Sequence, residues 1–353
     1  MKSSPLYGRN CPPQGGQLDS RRLAASRMVC LFAACLLAAQ AAWAAPDYSP
    51  DALLRAHLWR DLISRPVSRR PKVGLVLSAG STRATAHVGV LQILEQAGFP
   101  IDAVAGTSMG AVIGAMYAAG RPVKRLWEVA ANLNLASGSN MNSFRLIELM
   151  LADKLLSSDN AERFTRSEIG GLRFDQLPIP FACVAMDIYT GEAILFHEGD
   201  VATAVRASMN LPGVFKPVEY RQRYLVDGGV VDYIPIDAAR SLGAEWVLAS
   251  ITESDYHSAR PTSVLGMLEQ VIDIRGAVLS REQRQRAQFL IEPPVGDIGI
   301  YETGRVPEAM AKGVIAANKA LKPAMENLLL FSLEALARDW GTAPAAAPSG
   351  GRP

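Results

Sequence analysis

The apolar positions of this chain form short, continuous runs separated by longer segments with helical periodicity. Val73–Leu77, Phe181–Asp187 and Trp246–Ala249 are apolar almost throughout and have the length of a strand. Strands that are apolar on both faces are typical of parallel sheets covered by helices. Ala86–Gly98, which follows the first run, carries apolar residues at helical spacing. This alternation predicts an α/β protein whose parallel strands are joined by right-handed crossovers.

The same patterns predict further elements along the chain. Additional strands are expected at Ile101–Ala105, Ala193–Phe196, Tyr224–Val226 and Phe289–Ile291, the second of them as the hairpin partner of Phe181–Asp187. Helices are expected at Ala111–Ala119, Val123–Asn134, Ser143–Leu156, Asp159 to about Gly170, Asp200–Ala207, Val264–Gln288 and Arg305–Trp340. The last helix is expected to break near Pro323, because proline removes a backbone donor and clashes with the preceding turn.

The N-terminus has the features of an export signal. Arg21, Arg22 and Arg27 precede the apolar run Met28–Ala42. Ala42-Trp43-Ala44 then fits a small-x-small cleavage site. The run is too short and too rich in alanine for a transmembrane helix, which favours cleavage over an uncleaved anchor. We therefore expect a signal peptide at residues 1–44 and a periplasmic protein, with secretion or membrane association as alternatives.

Composition divides the rest of the chain into four parts. These are an N-terminal helix and basic linker at residues 45–72, the main α/β domain at 73–255, a C-terminal helical extension packed on it at 256–340, and a disordered tail at 341–353. The tail is assigned from its Ala, Pro and Gly content.

Composition and charge exclude several classes of function. Of 353 residues, 49% are hydrophobic, so a large core is expected, and a formal net charge of +2 does not indicate a nucleic-acid partner. No Cys/His spacing typical of zinc and no calcium-binding loop is present, so no metal or other cofactor is expected. After signal cleavage only Cys183 would be left, within an apolar run that favours a buried, unreactive thiol. The sequence does not determine the oligomeric state.

One turn motif carries the strongest chemical signal. Gly106-Thr107-Ser108-Met109-Gly110 reads Gly-x-Ser-x-Gly after a predicted strand and before a small-residue helix. Glycines at the two ends allow a tight turn and close packing of the helix, which exposes the Ser108 hydroxyl near a helix N-terminus. This is the arrangement of a serine nucleophile, although the motif also occurs in ordinary βα turns.

Two further segments are placed to complete a site. The small-residue loop Ala79–Ala84 follows the first strand and offers backbone N–H groups that suit an oxyanion. Asp227-Gly228-Gly229 forms another turn at the end of a strand. Because open α/β sheets place their sites at the carboxyl ends of strands, Asp227 is expected to reach Ser108. Asp232 is the competing carboxylate, but it has no glycine neighbour to permit a tight turn.

With these motifs in this order, the chain resembles the patatin-like phospholipases, and in particular their bacterial branch. The family pattern is Gly-Gly-Gly-x-Arg-Gly, then Gly-x-Ser-x-Gly, Pro-Gly-x-Phe-x-Pro and Asp-Gly-Gly/Ala. The corresponding segments are Ala79–Ala84, Gly106–Gly110, Pro212–Pro217 and Asp227–Gly229, and Val295–Gly299 resembles the bacterial members. The resemblance covers roughly residues 73–321 and makes 73–255 the patatin-like catalytic domain.

The resemblance implies a three-layer α/β/α fold with a mostly parallel central sheet and a Ser–Asp dyad that needs neither histidine nor metal. Carried over to this chain, Ser108 attacks an ester carbonyl and Asp227 takes its proton, then activates water to release the acyl-enzyme. The oxyanion motif corresponds to Ala79, Gly80, Ser81 and Arg83. Its backbone N–H groups near Gly80 and Ser81, with Arg83 nearby, would hold the oxyanion. The implied substrates are phospholipids, lysophospholipids or other acyl lipids, in lipid breakdown or remodelling, and peripheral membrane contact is compatible with them.

The oxyanion loop departs from the family pattern. Ala79, Ser81 and Ala84 stand where glycine is expected, and only Gly80 is kept. If these positions require positive φ, each substitution costs about 1 kcal/mol and turns an N–H away. If φ is negative there, alanine and serine donate as well as glycine does. A catalytically weak or inactive, exported lipid-binding homologue is therefore one alternative, although Ser108 is intact.

A Ser–Asp–His esterase is the other alternative. Its histidine should follow the serine, which leaves His197 and His257, and both are better explained as surface residues. His87 is better explained as a helix residue that shapes the oxyanion loop than as a base. From its residues Asn210–Pro217 could be an ordinary Pro/Gly loop, and the resemblance implies that it forms a wall of the site. The basic stretch Arg275–Arg286 is better explained as a solvated helix face than as a membrane contact.

Overall fold

A mixed sheet of eight strands forms the centre of the fold. The computed structural model describes residues 49–132, 157–257, 260–262 and 264–341. The strands in these ranges are β1 (Val73–Leu77), β2 (Ala103–Thr107), β3 (Phe181–Asp187), β4 (Ala193–Phe196), β5 (Val218–Tyr220), β6 (Arg223–Asp227), β7 (Trp246–Ser250) and β8 (Phe289–Ile291). Their order is β5-β6-β3-β2-β1-β7-β8, with β4 paired to β3 beside this path. The five strands from β3 to β8 along this order are parallel, whereas β4, β5 and β6 join by antiparallel pairing.

Helices cover both faces of this sheet. Those in the described ranges are α1 (Pro50–Ser64), α2 (Ala86–Gln96), α3 (Met109–Ala118), α4 (Val123–Ala131), α5 (Asp159–Ile169), α6 (Val201–Ser208), α7 (Ile236–Ser241), α8 (Val264–Gln283) and α9 (Val306–Gly341). The described residues from His57 onward form one compact unit, and the described residues before it, 49–56, form the beginning of α1. No helix in the described part of the chain is both long enough and apolar enough to span a membrane.

Alternation along β1 shows how the layers form. Leu75 and Leu77 pack in one apolar cluster with residues of α2, α3 and α9. Val76 packs in a second cluster with Ile236 and other residues of α7, and with Leu279 of α8 at its margin. Successive strand side chains point to opposite faces, so these two clusters are the two sides of the sheet. This arrangement confirms the expected three-layer α/β/α fold with a mostly parallel core.

The main difference from expectation lies in the last helix. The structure continues α9 through Pro323 without a break, so the predicted interruption is wrong. Ala317 and Ala324, on either side of the proline, are both buried in the same apolar cluster as Leu328. Tertiary packing along the whole helix therefore outweighs the lost backbone hydrogen bond.

Other predictions differ less. Phe181–Asp187, Ala193–Phe196 and Phe289–Ile291 are confirmed to the residue, whereas β5 and α7 have no counterpart among the predicted elements. The helix predicted to reach Gln288 ends at Gln283 and is followed by one turn of 3₁₀ helix. The predicted signal peptide, the helix at Ser143–Leu156 and most of the tail lie outside the described residues. The domain boundaries stay predictions.

Candidate active site

Ser108 occupies the sharp turn between β2 and α3. Its backbone has φ 57° and ψ −126°, a conformation that a residue with a side chain adopts only under constraint. A Cβ at Gly110 would collide with the carbonyl oxygens of Leu77 and Ser78, and one at Gly106 with that of Gly110. The glycines of the motif therefore allow α3 to start against the ends of β1 and β2, with Ser108 at the apex.

The strand register brings Ser108 and Asp227 together. Thr107, at the end of β2, is opposite Val184 of β3, and Asp227, at the end of β6, is opposite the next residue, Ala185. The Ser108 hydroxyl donates a hydrogen bond of 2.6 Å to Oδ2 of Asp227. Both side chains are buried, with 6% and 4% of their surfaces exposed. β3 therefore acts as the common support of the pair.

Asp227 is held by the glycines that follow it. Its second carboxylate oxygen, Oδ1, accepts a hydrogen bond of 2.7 Å from the Gly229 N–H. Its own N–H donates to the Asn210 carbonyl oxygen at 2.9 Å. A Cβ at Gly228 would collide with the Val184 carbonyl oxygen, so the turn packs directly on β3. One oxygen is thus fixed by the backbone, while the other faces the serine.

Burial raises the pKa of the Asp227 carboxyl to about 6. The hydrogen bonds from Ser108 and Gly229 act in the opposite direction, because they favour the charged form. The carboxyl is therefore ionised at neutral pH, yet it is far more basic than an exposed aspartate. This combination suits a group that accepts a proton and returns it.

The oxyanion loop Ala79–Ala84, which follows β1, keeps a backbone conformation that presents N–H donors although three of its expected glycines are replaced. Gly80 and Ser81 have positive φ, 154° and 48°, whereas Ala79 and Ala84 do not. Only one of the three substitutions for glycine, Ser81, therefore carries backbone strain, of about 1 kcal/mol. Within the described residues the N–H groups of Gly80 and Ser81 donate no hydrogen bond, while the Ala79 N–H is bonded to the Tyr233 carbonyl oxygen at 3.0 Å.

The structure corrects the expectation for Arg83. Its guanidinium is buried and pairs with Asp273 of α8 at 2.5 Å. It also donates to the Ile298 carbonyl oxygen at 2.9 Å. Arg83 is absent from the lining of the cavity beside Ser108. The side chain therefore ties the loop to α8 rather than lying beside an oxyanion.

A largely apolar cavity of about 310 Å³ adjoins the pair. Ser81, Thr82, Ser108 and Asp227 contribute to its polar lining. Most of the remaining surface is aliphatic, sulfur-containing or aromatic: Val88, Met109, Val112, Ile113, Met116, Leu126, Val129, Phe164, Met209, Leu211, Val214, Phe215, Ile300 and Val306. Three of these belong to the Asn210–Pro217 segment, which lies where a wall of the site was expected. The volume is in the usual range of small-molecule sites.

The competing carboxylate lies outside this cavity. Asp232 accepts a hydrogen bond from the Gln283 side chain at 2.9 Å. Its pKa is also raised to about 6, chiefly by burial and then by the nearby Asp237. It does not line the cavity and is not bonded to Ser108.

None of the three histidines considered is placed as a base. His87 is buried in α2, 2.8 Å from Ser250 Oγ and 3.1 Å from the Ser78 carbonyl oxygen. Burial lowers its pKa to about 4, so the neutral ring braces the ends of β1 and β7 beside the oxyanion loop. His197 and His257 are exposed and are not part of the cavity lining. The geometry gives no support to a Ser–Asp–His arrangement.

Two further contributions to the site were not among the predictions from the sequence. The Ser108 N–H donates to Ser208 Oγ at 3.0 Å, and Ser208 in turn donates to the Val184 carbonyl oxygen at 2.6 Å. No motif marks Ser208, which is brought there by tertiary packing. The Met109 N–H, at the start of α3, donates no hydrogen bond within the described chain and directly follows the serine. That position commonly supplies an oxyanion donor in such turns, so the motif itself was the available signal.

No cluster of three or more potential metal-binding side chains occurs in the described ranges. The fold and the site instead define an α/β protein with a buried serine–aspartate pair at the carboxyl ends of its strands. A family model described as patatin-like phospholipase matches residues 75–240. Over these residues the chain is similar to the patatin-like phospholipases.

Individual proteins are also similar to this chain. An NTE-family protein of Mycobacterium tuberculosis is 35% identical over 196 residues, which cover 55% of this chain and 52% of the relative. A lysophospholipase, nte1, of Aspergillus fumigatus is 33% identical over 180 residues, 50% of this chain and 12% of the relative. The crystal structure of VipD from Legionella pneumophila superimposes with a TM-score of 0.45 and 14% identity, covering 75% of this chain and 67% of that one. The chain spans about half the length of the mycobacterial relatives it matches.

Proposed function

We propose that this protein is a serine lipid acyl hydrolase that cleaves carboxylic esters of phospholipids, lysophospholipids or related acyl lipids. The observation that carries the proposal is the 2.6 Å hydrogen bond from Ser108 Oγ to Asp227 Oδ2 beside an apolar cavity. The match to the patatin-like phospholipase family model and the likeness to a lysophospholipase support it.

In the first half-reaction Ser108 Oγ attacks the ester carbonyl carbon while Asp227 takes the hydroxyl proton. The carbonyl oxygen becomes an oxyanion, which the free N–H groups of Gly80, Ser81 and Met109 are available to stabilise. The intermediate collapses by breaking the bond to the alkoxy oxygen. The leaving alcohol, such as a lysophospholipid, takes the proton from Asp227, and the acyl group is left on Ser108.

In the second half-reaction water replaces the alcohol. Asp227 removes a proton from water as it attacks the acyl carbon, and the same donors hold the second oxyanion. Collapse breaks the bond to Ser108 Oγ, which recovers its proton from Asp227, and the fatty acid leaves. The raised pKa of Asp227, about 6, suits a group that must both accept and donate this proton.

The cavity lining favours an acyl chain as the buried part of the substrate. Aliphatic and sulfur-containing side chains such as Val112, Met116 and Leu126 surround the space next to the serine. An extended hydrocarbon chain gains from leaving water in contact with these residues. These apolar contacts do not select a particular polar head group.

Labelling with a fluorophosphonate tests the nucleophile directly. The full chain would be compared as wild type, Ser108→Ala, Asp227→Asn and Asp232→Asn by intact mass. We expect one adduct in the wild type, none in Ser108→Ala, labelling slowed about 100-fold or more in Asp227→Asn, and normal labelling in Asp232→Asn. Asp232 is the matched control because it is a nearby, half-buried aspartate with a similarly raised pKa.

Two outcomes would oppose the proposal. Failure of the folded wild type to form any adduct and to hydrolyse any short-chain or lipid ester would favour a non-catalytic lipid-binding protein. Equal slowing in Asp227→Asn and Asp232→Asn would show that the dyad is wrongly assigned.

Export is a further part of the proposal and depends on residues outside the described ranges. Expression of the full chain in a Gram-negative host, followed by cell fractionation and mass analysis, tests it. We expect a periplasmic product that begins at Ala45. An unprocessed product in the cytoplasmic fraction would contradict export.

A further inference from the structure

The long helix α8 leaves a row of large apolar side chains exposed. The fully buried residues of its inner face include the small residues Gly276, Ala277 and Ser280. Gly276 is so close to the Tyr233 ring that a Cβ there would lie 2.8 Å from two ring carbons. Four large apolar residues are exposed on the opposite side, while Leu279 packs on the core and Leu268 packs against Gly213. A helix that packs on the core and also exposes a row of large apolar residues has a second face available for a partner.

That outer face is a continuous apolar stripe. It is formed by Met267, Val271, Ile274 and Val278, which are 58%, 64%, 40% and 48% exposed. Their spacing of four, three and four residues places them on one side of the helix, one turn after another. We call these four residues the α8 stripe.

The helix that carries the stripe is joined to the rim of the cavity. Leu268, next to Met267, packs against Gly213, in the loop whose Val214 lines the cavity. Glu269 accepts a hydrogen bond of 2.8 Å from the N–H of Ile300, which also lines the cavity. A surface that binds the α8 stripe would therefore also lie beside the loops that frame the cavity.

The charges around the stripe are predominantly positive and not neutralised by partners. Arg275 and Arg281 are exposed on opposite flanks of the stripe, and Lys216 is exposed on the cavity loop. In the described chain Arg275 and Arg281 donate to an uncharged carbonyl and a hydroxyl, respectively, and neither they nor Lys216 has a carboxylate partner. Glu282 is the exposed acidic residue of this face. Long cationic side chains beside an apolar stripe are typical of helices that lie at anionic lipid surfaces.

We propose that the α8 stripe is the surface through which this protein docks on an anionic lipid bilayer. The aliphatic side chains enter the boundary between head groups and acyl chains, while Arg275, Arg281 and Lys216 reach lipid phosphates. Docking in this orientation puts the cavity rim next to the lipid. This role rests on the proposed lipid hydrolase function for its biological purpose, but the binding itself can be measured without catalysis.

A local fluorescence probe tests the contact itself. Cys11, Cys30 and Cys35 would be replaced by serine and Ser108 by alanine, and Val271→Cys or Leu330→Cys would be labelled with a polarity-sensitive dye. Leu330 is the matched control because it is 68% exposed and lies 24 residues after Val306, about 36 Å along α9 from the cavity lining. Phosphatidylcholine vesicles with about one third phosphatidylglycerol should shift the dye at position 271 to the blue, with little change at position 330.

A second measurement, of hydrolysis rates, separates the charged from the apolar contribution to docking on vesicles. Val271→Asp and the double change Arg275→Ala/Arg281→Ala should each lower hydrolysis of anionic vesicles about tenfold or more, while hydrolysis of a water-soluble short-chain ester changes less than about twofold. The arginine variant should lose its difference from the wild type on pure phosphatidylcholine. Thermal unfolding of each variant checks that the fold is kept.

Several results would overturn the docking surface. An unchanged dye spectrum at position 271, an equal shift at position 330, or wild-type hydrolysis of vesicles by Val271→Asp would each do so. A dimer in solution that Val271→Asp dissociates, with the vesicle signal unaffected, would assign the α8 stripe to a second copy of the chain. If the wild type hydrolyses no soluble ester while the dye at position 271 still shifts on vesicles, the proposed function is refuted. The docking surface would then still stand.

Discussion

Asp227 and Asp232 are separated by five positions on the chain and share the same unusual property. Burial is the first cause of a raised pKa in both, to about 6 in each. Asp227 faces the Ser108 hydroxyl and lines the cavity, whereas Asp232 faces the Gln283 amide and does not. A raised pKa therefore reports how a carboxyl is buried, and the hydrogen-bond partner and access to a cavity decide whether it can take part in chemistry.

The largest expected difference between the two is in turnover. Asp227→Asn should lower kcat on a soluble ester about 100- to 10,000-fold, because the amide cannot take the proton from Ser108. Asp232→Asn should change kcat less than about threefold, because Asp232 has no contact with Ser108. Steady-state kinetics on both variants measures this. Similar losses in the two variants would remove the distinction between the carboxylates.

The pH dependence separates two groups with the same pKa. Hydrolysis requires ionised Asp227, so kcat/KM of the wild type should fall about tenfold per pH unit below pH 6. Asp232→Asn should retain this acidic limb unchanged. A pH series of kcat/KM for the wild type and Asp232→Asn is the measurement. If the acidic limb of kcat/KM shifts by a full pH unit in Asp232→Asn, the titration belongs to Asp232 and not to Asp227.

In stability, by contrast, the two aspartates should behave alike. Because the folded pKa of Asp227 is raised from 3.8 to about 6, its contribution to folding is fully present below about pH 4 and is lost as pH rises through 6. At pH 8 the buried charge lowers the free energy of unfolding by about 3 kcal/mol relative to acidic solution. Asp227→Asn should therefore be more stable than the wild type at pH 8, since the amide keeps an oxygen for Gly229 and has no charge.

Urea unfolding at about pH 8 and pH 4 measures this gain. Asp232→Asn should gain a similar amount, because the pKa of Asp232 is raised to the same value of about 6 despite the opposing effect of Arg286, and the amide keeps an oxygen for Gln283. The advantage of both variants should disappear at the lower pH. An Asp227→Asn protein less stable than the wild type at pH 8 would mean that the bonds from Ser108 and Gly229 outweigh the desolvation of the carboxylate.

The features that the sequence predicted have a local cause. Buried parallel strands such as β1 and β3 are continuous apolar runs, and a serine at positive φ in a tight turn needs glycines on both sides. Both features therefore depend on neighbouring residues in the sequence and can be recognised there. Arg83, Ser208 and the unbroken α9 depend on residues far away in the chain, respectively Asp273, Val184 and the shared apolar core. No local pattern reports these partners. The oxyanion loop Ala79–Ala84 lies between these two cases. Its residue types can be read from the sequence, but the backbone φ values that decide the free-energy cost of replacing glycine cannot.

The smallest expected effect concerns the support of Asp232. The Gln283 side chain donates to Asp232 and accepts from the Ile234 N–H at 2.9 Å. Gln283→Met keeps the volume but removes both bonds, which should lower the free energy of unfolding by about 2 kcal/mol at pH 8. The loss should be smaller at about pH 5, where a protonated Asp232 needs the donor less, and kcat should stay within about twofold of the wild type. Urea unfolding at both pH values and a soluble-ester assay test this, and a large loss of kcat would show that the two carboxylates are coupled rather than independent.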